Sequence, residues 1–527
     1  MANIKFSAFN TETNSANVDF LVGYQGTTMK KISPSNLSSV TSLNDLSDCV
    51  ADATNNFIGN VPASASGAIQ NTSLGIDALN PITSGDFNVG IGYAAGSAVT
   101  TGQKNTAIGR AALANVSTNS GSTAVGYQAG FISTAGDSVY IGNEPGRANT
   151  ATGHISIGFE AGYSNTSGQK NTNIGYEAGY SNTTNTFRTC VGYQAGKLNT
   201  GTGCTFIGHF AGGDRANVEG SSTAVGNEAG RYWESGSNTA LGENAGAYAN
   251  GTSRYNVMVG RDAIGGAFGS KSNNVGVGYR AGYSLTSGDS NTLIGTNAGD
   301  SMTTGTNSTA VGMGALSSLS TGGNNVAIGK NAYSSGTASN NVYIGNDAGT
   351  SANTGIYQIG VGVSAGNSNS GSNSIAIGWF ANRNNTASGT IAIGHQAGYS
   401  QTSGTNNTSI GYHAGYSNTT GGSQVCIGYE AGKNITGGVN TFVGAGAGSG
   451  GTGAGYNNTS LGQNTLFSLS SGYANTAVGR LAGNTTTTGH NNTMIGYDAE
   501  ASSATVSNEI TLGNVAVTSL RIPGLQS

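Results

Sequence analysis

Several residue types that most folded domains use freely are scarce in this 527-residue chain. Charged residues make up 8% of it, prolines number 5 and cysteines 4. With so few prolines and no glycine at every third position, a collagen triple helix is excluded. The cysteines are too scattered for a disulfide framework, and reduced thiols are expected; they are Cys49, Cys190, Cys204 and Cys426.

Net charge and long apolar runs are also small. The formal net charge is −4, so no nucleic-acid partner is expected, and disorder at this polarity usually comes with high net charge. No run approaches the roughly 20 apolar residues that cross a bilayer, so no membrane insertion is expected. The first residues lack an apolar stretch of signal-peptide length, which favours synthesis in a cytoplasm without export by that route.

Glycine is abundant, with 89 residues, and it follows a repeat. An aliphatic residue followed by glycine recurs 27 times from Gly75 to Gly513, and every step between these glycines is 16, 17 or 18. Thr, Val or Ile stands three residues before the glycine in all 27 copies, and alanine stands three residues after it in 25, the exceptions being Pro145 and Thr465. The consensus, N-T-x-I-G-x-x-A-G followed by a polar turn, predicts stacked coils of one short unit.

Positions of the repeat are counted from this glycine, negative before it and positive after it. Positions −3 and −1 are two residues apart, so on a strand they share a face, and that face is predicted to be the core. The predicted fold is all-β, a parallel β-roll or β-solenoid of about 27 coils in which asparagine at position −4 forms turn bonds or an amide ladder. The predicted core ladders contain Thr106, Ile108, Ala112, Thr172, Ile174 and Ala178.

Position −2, which lies between the two positions predicted to be inward, carries no charged residue in any of the 27 copies. If it points outward, both faces of the strand need protection from water, which predicts a partner chain along the repeats and hence an oligomer. The alternative is that small residues simply favour tight stacking. The predicted organisation is an N-terminal attachment region (1–58), a repeat shaft (59–513) and an end segment (514–527).

The strings TAIGRAA, VAIGKNA, IAIGWFA and IAIGHQA resemble the head repeat of trimeric autotransporter adhesins. Heads of this YadA-like family are left-handed parallel β-rolls that trimerise and bind host surfaces. The resemblance covers about residues 71 to 513 and implies a homotrimer. The period here is longer than that of the family's repeat, so each coil carries a larger turn.

The flanking segments resemble bacteriophage fibres, in particular those of marine tailed phages. DFLVGYQGTTMKKISPSNL and NEITLGNVAVTSLRIPGLQS carry this resemblance. It implies a virion fibre, made in the host cytoplasm, that adheres to or recognises the host surface. The N-terminus would contact tail or capsid proteins, with Phe20, Tyr24 and Lys31 as candidates, and the distal end would meet a host glycan or protein, or a tip protein.

No catalytic or metal-ligating constellation is present in the sequence, so neither an enzyme nor a cofactor is expected. The serious enzymatic alternative is a polysaccharide depolymerase spike, which needs paired carboxylates in a groove. Here most carboxylates fall at equivalent repeat positions, which is typical of rim charges. Tyr232 and Trp233 are candidate contacts to a receptor or glycan, since aromatic side chains stack on sugars. The tyrosines at position +1 form either a second such row or a stacked aromatic ladder.

Two other functions stay open. The first is a bacterial cell-surface or secreted trimeric adhesin. The second is an ice- or surface-binding solenoid, which is suggested by the threonines at position −3 and requires those threonines to point outward.

Overall fold

The computed structural model describes residues 67–216, 221–249, 252–351 and 354–521, together with four N-terminal strands whose side chains are not described. The chain divides into two units, Met1–Lys197 and Leu198–Ser527. Every regular element among the described residues is a strand, and the repeat builds the predicted parallel β-solenoid, with one strand in each coil.

The strands of the first unit are β1 (Phe20–Gln25), β2 (Thr28–Ile32), β3 (Cys49–Ala51), β4 (Asn55–Gly59), β5 (Asn71–Gly75), β6 (Val89–Ile91), β7 (Thr106–Ile108), β8 (Thr123–Val125), β9 (Val139–Ile141), β10 (Ile155–Ile157), β11 (Thr172–Ile174) and β12 (Thr189–Val191). β1 and β2 form an antiparallel pair. β4 pairs antiparallel with β3 and parallel with β5. The parallel sheet therefore begins at β4, four residues before the predicted start of the shaft at residue 59.

The strands of the second unit are β13 (Thr205–Ile207), β14 (Thr223–Val225), β15 (Thr239–Leu241), β16 (Val257–Val259), β17 (Val275–Val277), β18 (Thr292–Ile294), β19 (Thr309–Val311), β20 (Val326–Ile328), β21 (Val342–Ile344), β22 (Ile359–Val361), β23 (Ile375–Ile377), β24 (Ile391–Ile393), β25 (Thr408–Ile410), β26 (Val425–Ile427), β27 (Thr441–Val443), β28 (Thr459–Leu461), β29 (Thr476–Val478), β30 (Thr493–Ile495) and β31 (Ile510–Leu512). Residues 514–521 add no strand.

Within each unit, the strand of one coil pairs in register with the strand of the next, so equivalent repeat positions stack in columns. Thr106, Ala107 and Ile108 lie opposite Thr123, Ala124 and Val125. This register follows from the repeat, because a nearly constant period places the same residue type at each level of the stack.

In each of the 27 repeats the glycine at position 0 has a positive φ, a backbone conformation that few other residues adopt. Gly109 has φ +123°, and a Cβ added to it would lie 2.4 Å from the carbonyl oxygen of Gly126 in the next coil. Coils can therefore stack at this position only where there is no side chain.

The asparagines at position −4 form the predicted amide ladder and also the predicted turn bonds. The Asn105 backbone N–H donates to Asn88 Oδ1 at 3.0 Å, and Asn105 Nδ2 donates to the same oxygen at 3.1 Å. Asn105 Nδ2 also donates to the Asn119 carbonyl in the turn of the next coil, at 2.7 Å. These bonds satisfy backbone groups that the short strands leave unpaired.

Candidate functional site: the outer face of the sheet

The two faces of the three-residue strands are the reverse of what the sequence predicted. Ala107, at position −2, is buried, whereas Thr106 and Ile108 are half-exposed on the opposite face. Thr172 and Ile174 are likewise half-exposed. The prediction that these four residues form core ladders is wrong; they line the outer face of the sheet.

The alanines at position +3 were predicted correctly. Ala112 and Ala178 are fully buried, and they share the interior of the coil with the residue at position −2. This interior is narrow: a Cβ on Gly90 at position −2 would lie 2.8 Å from Leu79 Cγ. Branched aliphatic pairs from every coil do not fit in it, so they occupy the outer face instead.

Position −2 therefore carries no charge because its side chains lie in the core, and not because a partner chain covers them. The uncharged residues at position −2 do not indicate a partner chain. The apolar surface that is exposed to water lies on the opposite face of the strand, at positions −3 and −1. Position −1 is Ile, Val or Leu in all 27 copies. Several of these side chains are markedly exposed: Leu74, Ile141, Leu241, Ile294, Ile328, Leu461 and Ile495.

The aromatic residues at position +1 stack from coil to coil. The ring centroids of Phe159 and Tyr176 lie 5.0 Å apart, and those of Tyr176 and Tyr193 lie 5.2 Å apart, with nearly parallel planes. In the second unit His395, Tyr412 and Tyr429 continue the same pattern at 5.0 and 5.3 Å. The stacked aromatic ladder, one of the two interpretations of this row, is therefore present.

Of the two predicted receptor contacts, Trp233 is 1% exposed and its Nε1 donates to the Gly246 carbonyl at 2.8 Å. The prediction that it contacts a receptor is wrong, because its ring fills the interior of the coil. The sequence holds a signal for this: Trp233 stands at position +7, where Val99, Leu285 and Leu319 of other coils are also buried.

Tyr232 is half-exposed and belongs to an aromatic cluster with Tyr248 and Phe268. Its ring stacks on Tyr248 at 5.3 Å, and the Arg231 guanidinium lies 5.1 Å from the centroid of the Tyr232 ring. Phe268 is 54% exposed. An exposed aromatic group beside a cation suits contact with a sugar or a peptide. We refer to Tyr232, Tyr248 and Phe268 as the aromatic cluster.

His154 and Lys271 are two of the ionisable side chains that are buried in the interior. Burial lowers the pKa of His154 to about 4, and Asn165 Nδ2 faces its Nε2 at 3.2 Å. Burial also lowers the pKa of Lys271 to about 8, and its Nζ donates to the carbonyls of Ala267 and Leu285. Over the described residues, no group of three His, Cys, Asp or Glu side chains could hold a metal ion.

The predicted attachment residues Phe20, Tyr24 and Lys31 lie in β1 and β2, where Phe20 pairs with Ile32 and Tyr24 with Met29. Their side chains are outside the described part of the chain. Among the residues that are described, no helix has the length and apolar character to cross a membrane.

The site that the geometry offers is thus a β-branched and aliphatic sheet face bordered by aromatic ladders. No protein-family model matches the chain, and no curated protein matches it.

Proposed function

We propose that the chain is a structural fibre of a phage virion, that it assembles as a homotrimer, and that it mediates adhesion to or recognition of the host surface. The observation that carries the proposal is the aliphatic outer face of the sheet. The resemblance of the repeat to trimeric adhesin heads and of the flanks to phage fibres supports the same assignment.

The occupant of the outer face is proposed to be further copies of the same chain. Soluble proteins rarely leave a contiguous apolar patch of more than a few hundred Å² in water. The aliphatic column repeats once per coil along each unit, and a copy of this chain carries a face with the same period and the same chemistry. Copies placed side by side around a common axis would cover these faces together.

Sedimentation equilibrium or mass photometry of the full chain tests the oligomer directly. The expected mass is three times that of one chain. A monomer at micromolar concentration contradicts the trimer and with it the proposed role of the outer face.

Cysteine accessibility tests which surface the copies cover. Ile141 on the outer face is 39% exposed in one chain, and Tyr176 on the aromatic ladder is 41% exposed. We expect Ile141→Cys to react with a bulky maleimide at least ten times more slowly than Tyr176→Cys, after subtraction of the wild-type signal. Equal rates would show that the outer face is open to solvent.

Attachment to the virion is tested on the particle. A labelled antibody against the repeats is expected to mark a fibre in electron micrographs of phage particles whose genome encodes this chain. Labelling of the bacterial surface, with unlabelled particles, would instead support the cell-surface adhesin.

We place the host contact at the aromatic cluster. Tyr232→Ala combined with Phe268→Ala is expected to reduce binding of the fibre to host cells by tenfold or more. Tyr255→Ala is the matched control, because Tyr255 is 61% exposed and stands outside the cluster. Unchanged binding of the double variant, with an intact trimer, would locate the contact elsewhere.

The depolymerase alternative receives less support, because several carboxylates on the rim lie next to a cation. Glu177 lies 2.5 Å from Lys197 Nζ, and Glu430 lies 2.7 Å from Lys433 Nζ. Carboxylates that each form an ion pair with a lysine are typical of a salt-bridged surface and not of a catalytic pair of carboxylates. Release of reducing sugar from the host capsule would favour the enzyme.

Ice or ordered-surface binding is the second candidate, and one observation favours it. The threonines at position −3 point outward, which the sequence interpretation did not expect, and Thr106 and Thr123 stack in register. However, only 15 of the 27 copies have threonine there, and position −1 has none. A monomer that shows thermal hysteresis would favour this function over the trimeric fibre.

A further inference from the structure

Lysine or arginine stands at position +5 in five coils, and one of these cations differs from the others. Four of them form an ion pair with a carboxylate: Arg147, Lys197, Arg231 and Lys433. In three of these coils the carboxylate belongs to glutamate at position +2: Glu144, Glu228 and Glu430. The fifth cation is Arg383, and position +2 of its coil is Phe380. No carboxylate pairs with Arg383 among the described residues.

Neutral groups hold the Arg383 side chain in place. Its guanidinium lies 4.6 Å from the centroid of the Phe380 ring, and Nη1 donates to the Tyr399 hydroxyl at 2.8 Å. Both contacts orient the guanidinium, and neither neutralises its charge. Because Arg383 is partly exposed, this oriented charge is open to a ligand from the solvent.

Trp379 lies beside this cation and is 51% exposed. Its ring packs on Phe380 at 5.0 Å, with 29° between the planes, and meets His395 nearly at a right angle, at 4.8 Å. Further along the same row, His395 and Tyr412 stack with nearly parallel planes. Parallel stacking hides ring faces between coils, whereas Trp379 is turned out of that stack. Of the two tryptophans in the chain, only Trp379 is exposed.

An exposed indole beside an oriented guanidinium suits one class of ligand. The indole face packs against the apolar C–H face of a sugar ring, and a guanidinium binds a carboxylate through two parallel hydrogen bonds. A sugar that carries a carboxylate offers both groups at once. A nucleic-acid strand would instead need several unpaired cations along its phosphates, and Lys433 in a nearby coil is already paired with Glu430.

We propose that Trp379 and Arg383 form a binding site for an acidic saccharide, with the carboxylate on Arg383 and the sugar ring on Trp379. Phe380 is a positioning residue, since it packs against both. The site is separate from the aromatic cluster, where Arg231 is paired with Asp214 and Glu228. It rests on the proposed function in one respect only, which is that the trimer leaves position +1 in solvent.

Binding of two uronic-acid polymers, polygalacturonate and alginate, to the full chain tests the site by biolayer interferometry. Methyl-esterified polygalacturonate is the matched control ligand, because it has the same sugar backbone without the charge. We expect it to bind more weakly than polygalacturonate by about tenfold or more. Trp233 is buried, so acrylamide quenching of tryptophan fluorescence reports mainly on Trp379. This quenching is expected to fall when polygalacturonate binds.

Variants test the assignment of residues. Arg383→Gln and Trp379→Ala are each expected to weaken binding of polygalacturonate by about tenfold or more. Arg147→Gln is the matched control, because Arg147 also lies over aromatic rings at position +5 but is paired with Glu144. Phe380→Glu restores the usual carboxylate at position +2 and is expected to weaken binding although Arg383 and Trp379 remain.

Equal binding of the methyl ester, unchanged binding by Arg383→Gln, or no binding of either uronic-acid polymer overturns the proposal. If a variant does not fold, the comparison of polygalacturonate with its ester on the wild-type chain still decides. Binding of polyglutamate or oligothymidylate that Trp379→Ala leaves unchanged would assign the site to an acidic peptide or a nucleic acid and reject the saccharide.

The mass of the assembly, measured on the same sample, separates this site from the proposed function. A monomer that binds polygalacturonate contradicts the trimer and supports the site. An intact trimer that binds neither uronic-acid polymer contradicts the site and leaves the trimer standing.

Discussion

At the scale of single residues, the neighbouring coil explains why position 0 is always glycine. Gly109 faces the Gly126 carbonyl so closely that a methyl group would lie 2.4 Å from the oxygen. Gly153 also has a positive φ, +73°, but the nearest atom to its added Cβ is Lys170 Cγ at 3.4 Å. Both glycines have a positive φ, but only a side chain at Gly109 would collide with the backbone of the next coil.

We expect Gly109→Ala to lower the free energy of unfolding by about 3 kcal/mol more than Gly153→Ala. Gly153→Ala should cost about 1 kcal/mol, because alanine is disfavoured at positive φ. Chemical denaturation followed by circular dichroism measures both. Equal losses would mean that backbone conformation alone, and not coil stacking, selects glycine.

The second residue-scale prediction concerns acid. His154 has a pKa of about 4 when folded against an ordinary value of 6.5, because burial disfavours its charged form. Protonation therefore favours the unfolded chain, and stability falls as the pH drops from 6.5 to 4, by about 3 kcal/mol for a shift of this size. His154→Asn restores the ladder residue and is expected to remove this part of the pH dependence. Denaturation curves at pH 7 and pH 4 compare the two chains, and an unchanged acid sensitivity would place its origin elsewhere.

At the scale of the element, the strand has one buried and two outward residues. Ala107→Lys is expected to disrupt its coil and to lower the free energy of unfolding by several kcal/mol, since it places a charge in a full interior. Thr106→Lys on the outer face is expected to leave the coil folded and to weaken assembly instead. Hydrogen exchange of β7, measured together with the mass of the assembly, separates the two effects. Equal protection of β7 in both variants would contradict the assignment of faces.

The sequence predicts the strands, their period and their register, because each follows from a repeat that recurs 27 times. The asparagine ladder is predictable for the same reason. Which face of the strand is buried could not be predicted in this way. Ile and Val usually point into a core, but the interior of this coil is too small for them. The space at position −2 depends on how a residue such as Leu79 packs against the next coil, where a Cβ on Gly90 would lie 2.8 Å from Leu79 Cγ. No single position of the repeat predicts that space. The burial of Trp233 is predictable only from the column at position +7, where other coils carry Val99, Leu285 and Leu319, and not from its own coil.

At the scale of the whole molecule, stability is expected to be distributed over coils that each contact only their neighbours. Deletion of 110–126 removes one complete coil and joins Gly109 to Tyr127, which keeps every column in register. We expect this variant to fold and to unfold within a few degrees of the wild type. Deletion of 110–117, which is shorter, breaks the columns and is expected to lower the midpoint much further. Thermal circular dichroism compares them, and equal midpoints would contradict a stack held by register.

The stacked glycines have a consequence for how such a gene can change. Because each coil presents glycine at position 0 and the same ladder positions to its neighbours, the order of the coils is expected to be exchangeable. Recombination between neighbouring copies would therefore yield a longer or shorter product with each exchange, and every product would meet the same folding rule. The number of coils can therefore change from one product to another while the surface residues of each coil stay the same.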